Sequence, residues 1–261
     1  MPRTSSRVQF KNPRGLNLAG IVDHASISDE APTPIVVFSH CFTCSKDLKA
    51  IVRISRRMAE AGTTVLRYDM TGLGGSEGDF SSTHFSSNIE DLRSAIDFAN
   101  QSIGPVTALL GHSFGGAASL AIAATDSRSL GLRGVMTLAA PSDTVHLAEL
   151  LIQMNPAIDL GDRLGEVSIG GRDWMITGEM IDDFRSHDLV QLLPSLDIPA
   201  LLMHSPRDET VPFGHMKTIA DSIGADASTI ILHGADHLLS SQTDIEYVAD
   251  LAAAFASRLA N

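Results

Sequence analysis

The residues with the clearest chemical potential are Gly111-His112-Ser113-Phe114-Gly115. A serine hydroxyl is a weak nucleophile at neutral pH and needs a base beside it. Placed in a G-x-S-x-G frame between an apolar run and a small-residue run, Ser113 can sit on a sharp strand-to-helix turn. The glycines allow that turn, and the helix N-terminus then faces the charge that develops on an attacked carbonyl oxygen. The implied chemistry is acyl transfer through a covalent serine intermediate.

Ten histidines could supply the base. His237, in Gly234-Ala235-Asp236-His237, follows a β-branched run at 229–232 and precedes a closing helical pattern, so its loop can reach back over the serine. His233 is the competitor, nearer the strand end. His112 and His40 read as orienting or packed residues, and His24, His84, His146, His187, His204 and His215 as surface or structural ones. The acid that holds the imidazole tautomer is assigned to Asp208, in the loop Pro206-Arg207-Asp208-Glu209 after a strand at 201–205. Asp143, in the loop after the preceding strand, is the substitute, and Asp236 reads as a loop cap. The order Ser113, Asp208, His237 is that of elbow-type serine enzymes.

Two N–H donors are needed where the oxyanion forms. The amide of Phe114 follows the nucleophile, and Phe42 in His40-Cys41-Phe42-Thr43-Cys44-Ser45 is the second. Cys41-Phe42-Thr43-Cys44 is also a C-x-x-C between a strand and a helix, where thiol redox modules keep a dithiol. A redox module is therefore the rival of another class. Two cysteines give no disulfide framework, and both thiols are expected to stay reduced.

Positioning these residues takes alternating strands and helices, and the chain supplies them. Strands are expected at 7–10, 16–23, 34–40, 63–69, 105–110, 133–140, 200–204 and 229–232. Helices are expected up to about residue 61, then at 88–101, 114–125, 180–193 and 244–259. The run at 34–40 is almost wholly apolar, as in a strand covered on both faces. About sixty residues separate the strands ending near 140 and starting near 200, more than one crossover helix needs. The surplus, about 143–178, contains a hairpin at 166–177 turning at Gly170-Gly171 and reads as a lid over the sheet edge. Phe80, Phe85, Leu147, Leu150, Leu151, Met154, Trp174, Met175 and Met180 could line a pocket beneath it.

The 261 residues, 44% hydrophobic and 19% charged, fit one soluble α/β domain over 1–261. A formal net charge of -12 at pH 7 disfavours nucleic acid and anionic membrane surfaces as partners. No apolar run spans a bilayer and the N-terminal residues lack a secretory pattern, so a cytoplasmic protein is expected. Gly72-Leu73-Gly74-Gly75-Ser76 lacks the lysine of a phosphate loop and reads as a turn near the pocket. No cofactor or metal is implied.

His40-Cys41-Phe42-Thr43-Cys44-Ser45-Lys46-Asp47 and Arg67-Tyr68-Asp69-Met70-Thr71-Gly72-Leu73-Gly74-Gly75-Ser76-Glu77-Gly78 resemble α/β-hydrolases related to serine aminopeptidases. The nearest likeness is to the hydrolase half of bifunctional hydrolase/OsmC proteins, from about Val8 to the closing helix. The resemblance implies the α/β-hydrolase fold, a mostly parallel eight-stranded sheet with helices on both faces and a short lid insertion. It also implies the Ser113, Asp208 and His237 roles and esterase-like activity. An OsmC half is not expected in this chain, which also departs from the resemblance in carrying Cys41 where many α/β-hydrolases have glycine. The expected substrate is a small acyl ester, of short to medium chain, with peptidase, amidase or thioesterase chemistry as alternatives. An aminopeptidase would need an acidic anchor, for which Glu149, Asp159, Glu166 and Asp173 are candidates.

Overall fold

The computed structural model describes residues 4–26, 33–161 and 163–260. Position 162 of the expected insertion lies outside the described residues. The central sheet contains β1 (Ser5–Lys11), β2 (Asn17–Asp23), β3 (Ile35–Ser39), β4 (Thr64–Tyr68), β5 (Ala108–His112), β6 (Gly134–Leu138), β9 (Ala200–His204) and β10 (Ala227–Ile231). Their order is β1-β2-β4-β3-β5-β6-β9-β10, eight strands as expected. β1 pairs antiparallel with β2 and β2 with β4, while the rest of that order, β4-β3-β5-β6-β9-β10, runs parallel.

Side chains alternate between two cores, one on each face of the sheet. In β3, Ile35 and Val37 enter the first core, whereas Val36 and Phe38 enter the second. In β9 the split is Ala200 and Leu202 against Leu201 and Met203. The second core is closed by α1 (Lys49–Glu60) and α8 (Gln242–Ala260) through Ile51, Ile54, Met58, Val248 and Ala252. The first is closed mainly by α2 (Phe85–Ser102) and α3 (Phe114–Leu130). Continuous apolar strands are what a sheet covered on both faces requires.

α4 (Val145–Met154), a single 3-10 turn, and the antiparallel hairpin of β7 (Leu164–Ile169) and β8 (Arg172–Thr177) form the inserted segment. The hairpin turns at Gly170 and Gly171, both with positive φ, as expected. The helix anticipated at 180–193 is divided into α5 (Gly178–Ser186) and the short α6 (Leu189–Leu192). Asp188 interrupts it by capping the amide of Gln191 with its side chain. Sequence periodicity also missed α7 (Gly214–Ile223), the crossover that parallel β9 and β10 need.

Candidate active site

The candidate residues stand at the C-terminal edge of the parallel strands. β5 ends at His112 and α3 begins at Phe114, leaving Ser113 alone at the turn. Its φ of 53° and ψ of -120° are costly for a residue with a side chain. The Ser113 amide donates to the Leu138 carbonyl (2.8 Å), and its own carbonyl accepts from the Gly116 (2.8 Å) and Ala117 (3.1 Å) amides. The flanking glycines are steric requirements. A Cβ on Gly111 would lie 2.3 Å from the Gly115 carbonyl oxygen, and one on Gly115 2.5 Å from the carbonyl oxygens of Ser39 and His40.

β9 delivers Asp208 and β10 delivers His237. His237 Nδ1 lies 2.8 Å from Asp208 Oδ2, and His237 Nε2 lies 3.1 Å from Ser113 Oγ. The other carboxylate oxygen, Oδ1, accepts from the Thr210 (2.9 Å) and Val211 (2.8 Å) amides, so the carboxylate is held from two sides. Burial pushes the Asp208 carboxyl up, but hydrogen bonds from His204 and His237 outweigh it and hold the group well below the usual carboxylate range. A carboxylate accepts from Nδ1–H, which leaves Nε2 able to accept from the serine hydroxyl. This linear arrangement can deprotonate Ser113 and stabilise the imidazolium that results.

The alternatives lie elsewhere. Asp143 accepts from the His146 amide (2.8 Å) and sits 3.8 Å from His215 Nδ1. His233 is exposed, and Asp236 caps its own loop by accepting from the Ser240 amide (2.9 Å). Of the acidic anchors, Glu149 and Asp159 pair with Arg185, while Glu166 and Asp173 are exposed.

Phe114 is the first residue of α3, where an N–H has no intrahelical carbonyl. Phe42 follows β3, and its ring meets that of Phe114 edge-on with centroids 5.4 Å apart. The loop carrying Phe42 is tied down tightly. Met70 N–H donates to His40 Nε2 (3.1 Å), so Nδ1 bears the proton and donates to the Cys41 carbonyl (2.8 Å). Asp69, fully buried, accepts from the Lys46 amide (2.6 Å), Lys46 Nζ (2.7 Å) and the Gly75 amide (2.8 Å). Arg67, 1% exposed, donates to the Lys46 carbonyl (2.8 Å) and to Asp23 (2.9 Å). Gly74 is required beside that carboxylate, since a Cβ there would come within 2.2 Å of Asp69 Oδ2. Charged residues at the end of an apolar strand were the sequence signal for this network.

The expectation of reduced thiols is corrected: Cys41 and Cys44 form a disulfide. Composition does not report local geometry, and here a turn closed by the Cys44 amide on the Cys41 carbonyl (3.2 Å) brings the Cα atoms to 5.4 Å. The ring encloses Phe42 and Thr43, the latter at a φ of 58°.

Beside Phe114, Phe42 contacts Phe80 (5.3 Å) and Phe184 (5.9 Å), and Phe80 meets Trp174 of β8 at 4.7 Å between centroids. Among the pocket candidates, Leu151 and Met180 are core residues, whereas Met154 (56% exposed) and Met175 (38%) face solvent. Their apolar spacing alone could not separate these fates.

Residues 36–258 match the Alpha/beta hydrolase family. The mouse palmitoyl-protein thioesterase ABHD10, mitochondrial, is 25% identical over 265 residues, spanning 94% of this chain and 87% of that protein. The esterase domain from a Rhodothermus marinus protein is 34% identical, with a TM-score of 0.76 over 98% of both chains. Est1E from Butyrivibrio proteoclasticus, solved with ferulic acid bound, shares the fold with a TM-score of 0.78 at 20% identity, over 95% of this chain and 97% of that one. With that match over most of its length and a strand order to suit it, the chain belongs to the alpha/beta hydrolase family and is a hydrolase.

Proposed function

We propose that the protein is a serine carboxylesterase acting on short- to medium-chain acyl esters. The observation that carries this is the hydrogen-bonded chain from Ser113 Oγ through His237 to Asp208 at the sheet edge. Ser113 attacks the ester carbonyl as His237 Nε2 takes its proton. The oxyanion is held by the amides of Phe42 and Phe114, and His237 then protonates the departing alcohol. Water, deprotonated by the same nitrogen, releases the acid from the acyl-enzyme. The rings of Phe42, Phe80 and Trp174 offer the acyl chain an apolar wall, with the inserted segment at 143–178 as its lid. The substrate is a small molecule, and the setting is cytoplasmic. Among the described residues no helix is long and apolar enough to cross a membrane.

Thioester hydrolysis is the second reading, favoured by the palmitoyl-protein thioesterases among the relatives. Purified protein should hydrolyse p-nitrophenyl esters from acetate to octanoate, with kcat/KM compared against S-acyl thioesters of equal chain length. Turnover of the oxygen esters supports the leading assignment. Turnover confined to thioesters selects the second, and inertness toward both would sink the acyl-transfer assignment.

A further inference from the structure

His112, the variable residue of the elbow, is not used by the mechanism above, yet it is 1% exposed and bonded to the catalytic loop. Its Nε2 lies 2.8 Å from the main-chain carbonyl of His237, and the two imidazole rings stand 5.1 Å apart. A carbonyl oxygen only accepts, so Nε2 carries the proton and donates. We infer that His112 is a positioning residue that clamps the backbone of His237 to the nucleophile elbow and so sets the distance between base and serine. This rests on the triad assignment made above.

The surroundings of His237 make such a clamp consequential. Its loop, between β10 and α8, passes through exposed His233, Gly234, Asp236 and Leu238. Ala235 and Leu239 anchor it in the second core. Its backbone hydrogen bonds bracket His237: Leu232 N–H to the His204 carbonyl, and Leu239 N–H to the Asp236 carbonyl. At His237 itself, the attachments are Asp208 and Ser113 on the ring and His112 on the carbonyl. Two consecutive residues of the elbow thus grip the base at both ends, Ser113 on the ring and His112 on the main chain. A displacement of about 1 Å at such a contact can cost about 100-fold in rate. The donor is also dependable, because burial, then the neighbouring His237, holds the His112 imidazole down to about 3 and therefore neutral.

Reach separates this role from mere packing. In His112→Gln the amide nitrogen lies as many bonds from Cβ as Nε2 does, whereas in His112→Asn it lies one bond short. The measurement is kcat and KM for p-nitrophenyl butyrate, normalised by active-site titration, with the rate of fluorophosphonate labelling and the thermal midpoint of each variant. The clamp predicts that Asn lowers kcat and labelling by about 10- to 100-fold with KM within about twofold, and that Gln recovers most of the loss. Wild-type rates in the Asn variant, or equal losses in both variants, would overturn it. Ser113→Ala and His237→Ala run beside them: if these keep turnover, the triad assignment itself fails. If they lose it while Asn does not, only the clamp fails.

Discussion

Two arms reach over the sheet edge toward Ser113, and they are built differently. The arm proposed to hold the oxyanion, residues 40–47, is fixed by the buried Asp69 carboxylate paired with Lys46, the buried Arg67 guanidinium and a disulfide. The histidine arm, residues 232–241, is largely solvated and fastened at a few points, chiefly Asp208 and His112. The difference follows from what each must do. Oxyanion donors work only if they already stand where charge will appear, since reorganisation at that moment weakens them. In the proposed reaction the base relays a proton between serine, leaving group and water, so it needs orientation at the ring rather than a rigid loop. Damage to the histidine arm should therefore cost rate, and damage to the oxyanion arm should cost folding stability as well.

The largest effect is expected at Asp208→Asn, which permits the wrong imidazole tautomer. It should lower kcat by about 10⁴-fold while leaving the fold intact, as steady-state rates and circular dichroism would register. A melting loss as large as that of an oxyanion-arm variant would break the contrast. Next comes Asp69→Ala, which strands Lys46 and its amide beside an emptied site. Loss of one partner from a buried ion pair costs about 3–5 kcal/mol, readable as a lowered urea midpoint. Smaller again is the double variant Cys41→Ser/Cys44→Ser. Opening so short a ring should cost about 2 kcal/mol in the same titration, with kcat falling more than KM rises as Phe42 loosens.

The mildest test is pH. Burial lowers the imidazoles of His40 and His112, the latter to about 3 from an ordinary 6.5. As pH falls below 6.5 the unfolded chain takes up protons that the folded chain refuses, so stability declines and returns at neutrality. Melting midpoints should drop between pH 7 and pH 5, by about 2–4 °C per kcal/mol lost. His112→Gln should flatten part of that slope. A midpoint indifferent to pH over this range would show that these imidazoles are not held neutral by the fold.

The same contrast marks how much was legible beforehand. Ser113, Asp208 and His237 meet because each follows a strand, and strand ends leave a strong apolar signal in the sequence. The eight strands of the sheet and the hairpin at Gly170-Gly171 are equally plain. Of the arm at 40–47, the sequence points to the loop around Phe42 and no further. Its bracing depends on residues brought together from 23, 46, 67 and 69, and no local spacing records such pairings. The disulfide depends on a local turn, which composition does not report. α7 escapes because its buried residues, Met216 and Ile219, make a short stripe among polar neighbours. The break at Asp188 was hidden inside an otherwise helical pattern, where a capping carboxylate outcompeted the helix.

The central claim is that Ser113 is an activated nucleophile. It is tested most directly by intact-protein mass spectrometry after fluorophosphonate treatment of wild type and Ser113→Ala. A single covalent adduct on wild type that is absent from the variant is the expected result. A folded wild type that takes no adduct, or an adduct that persists in Ser113→Ala, would contradict it.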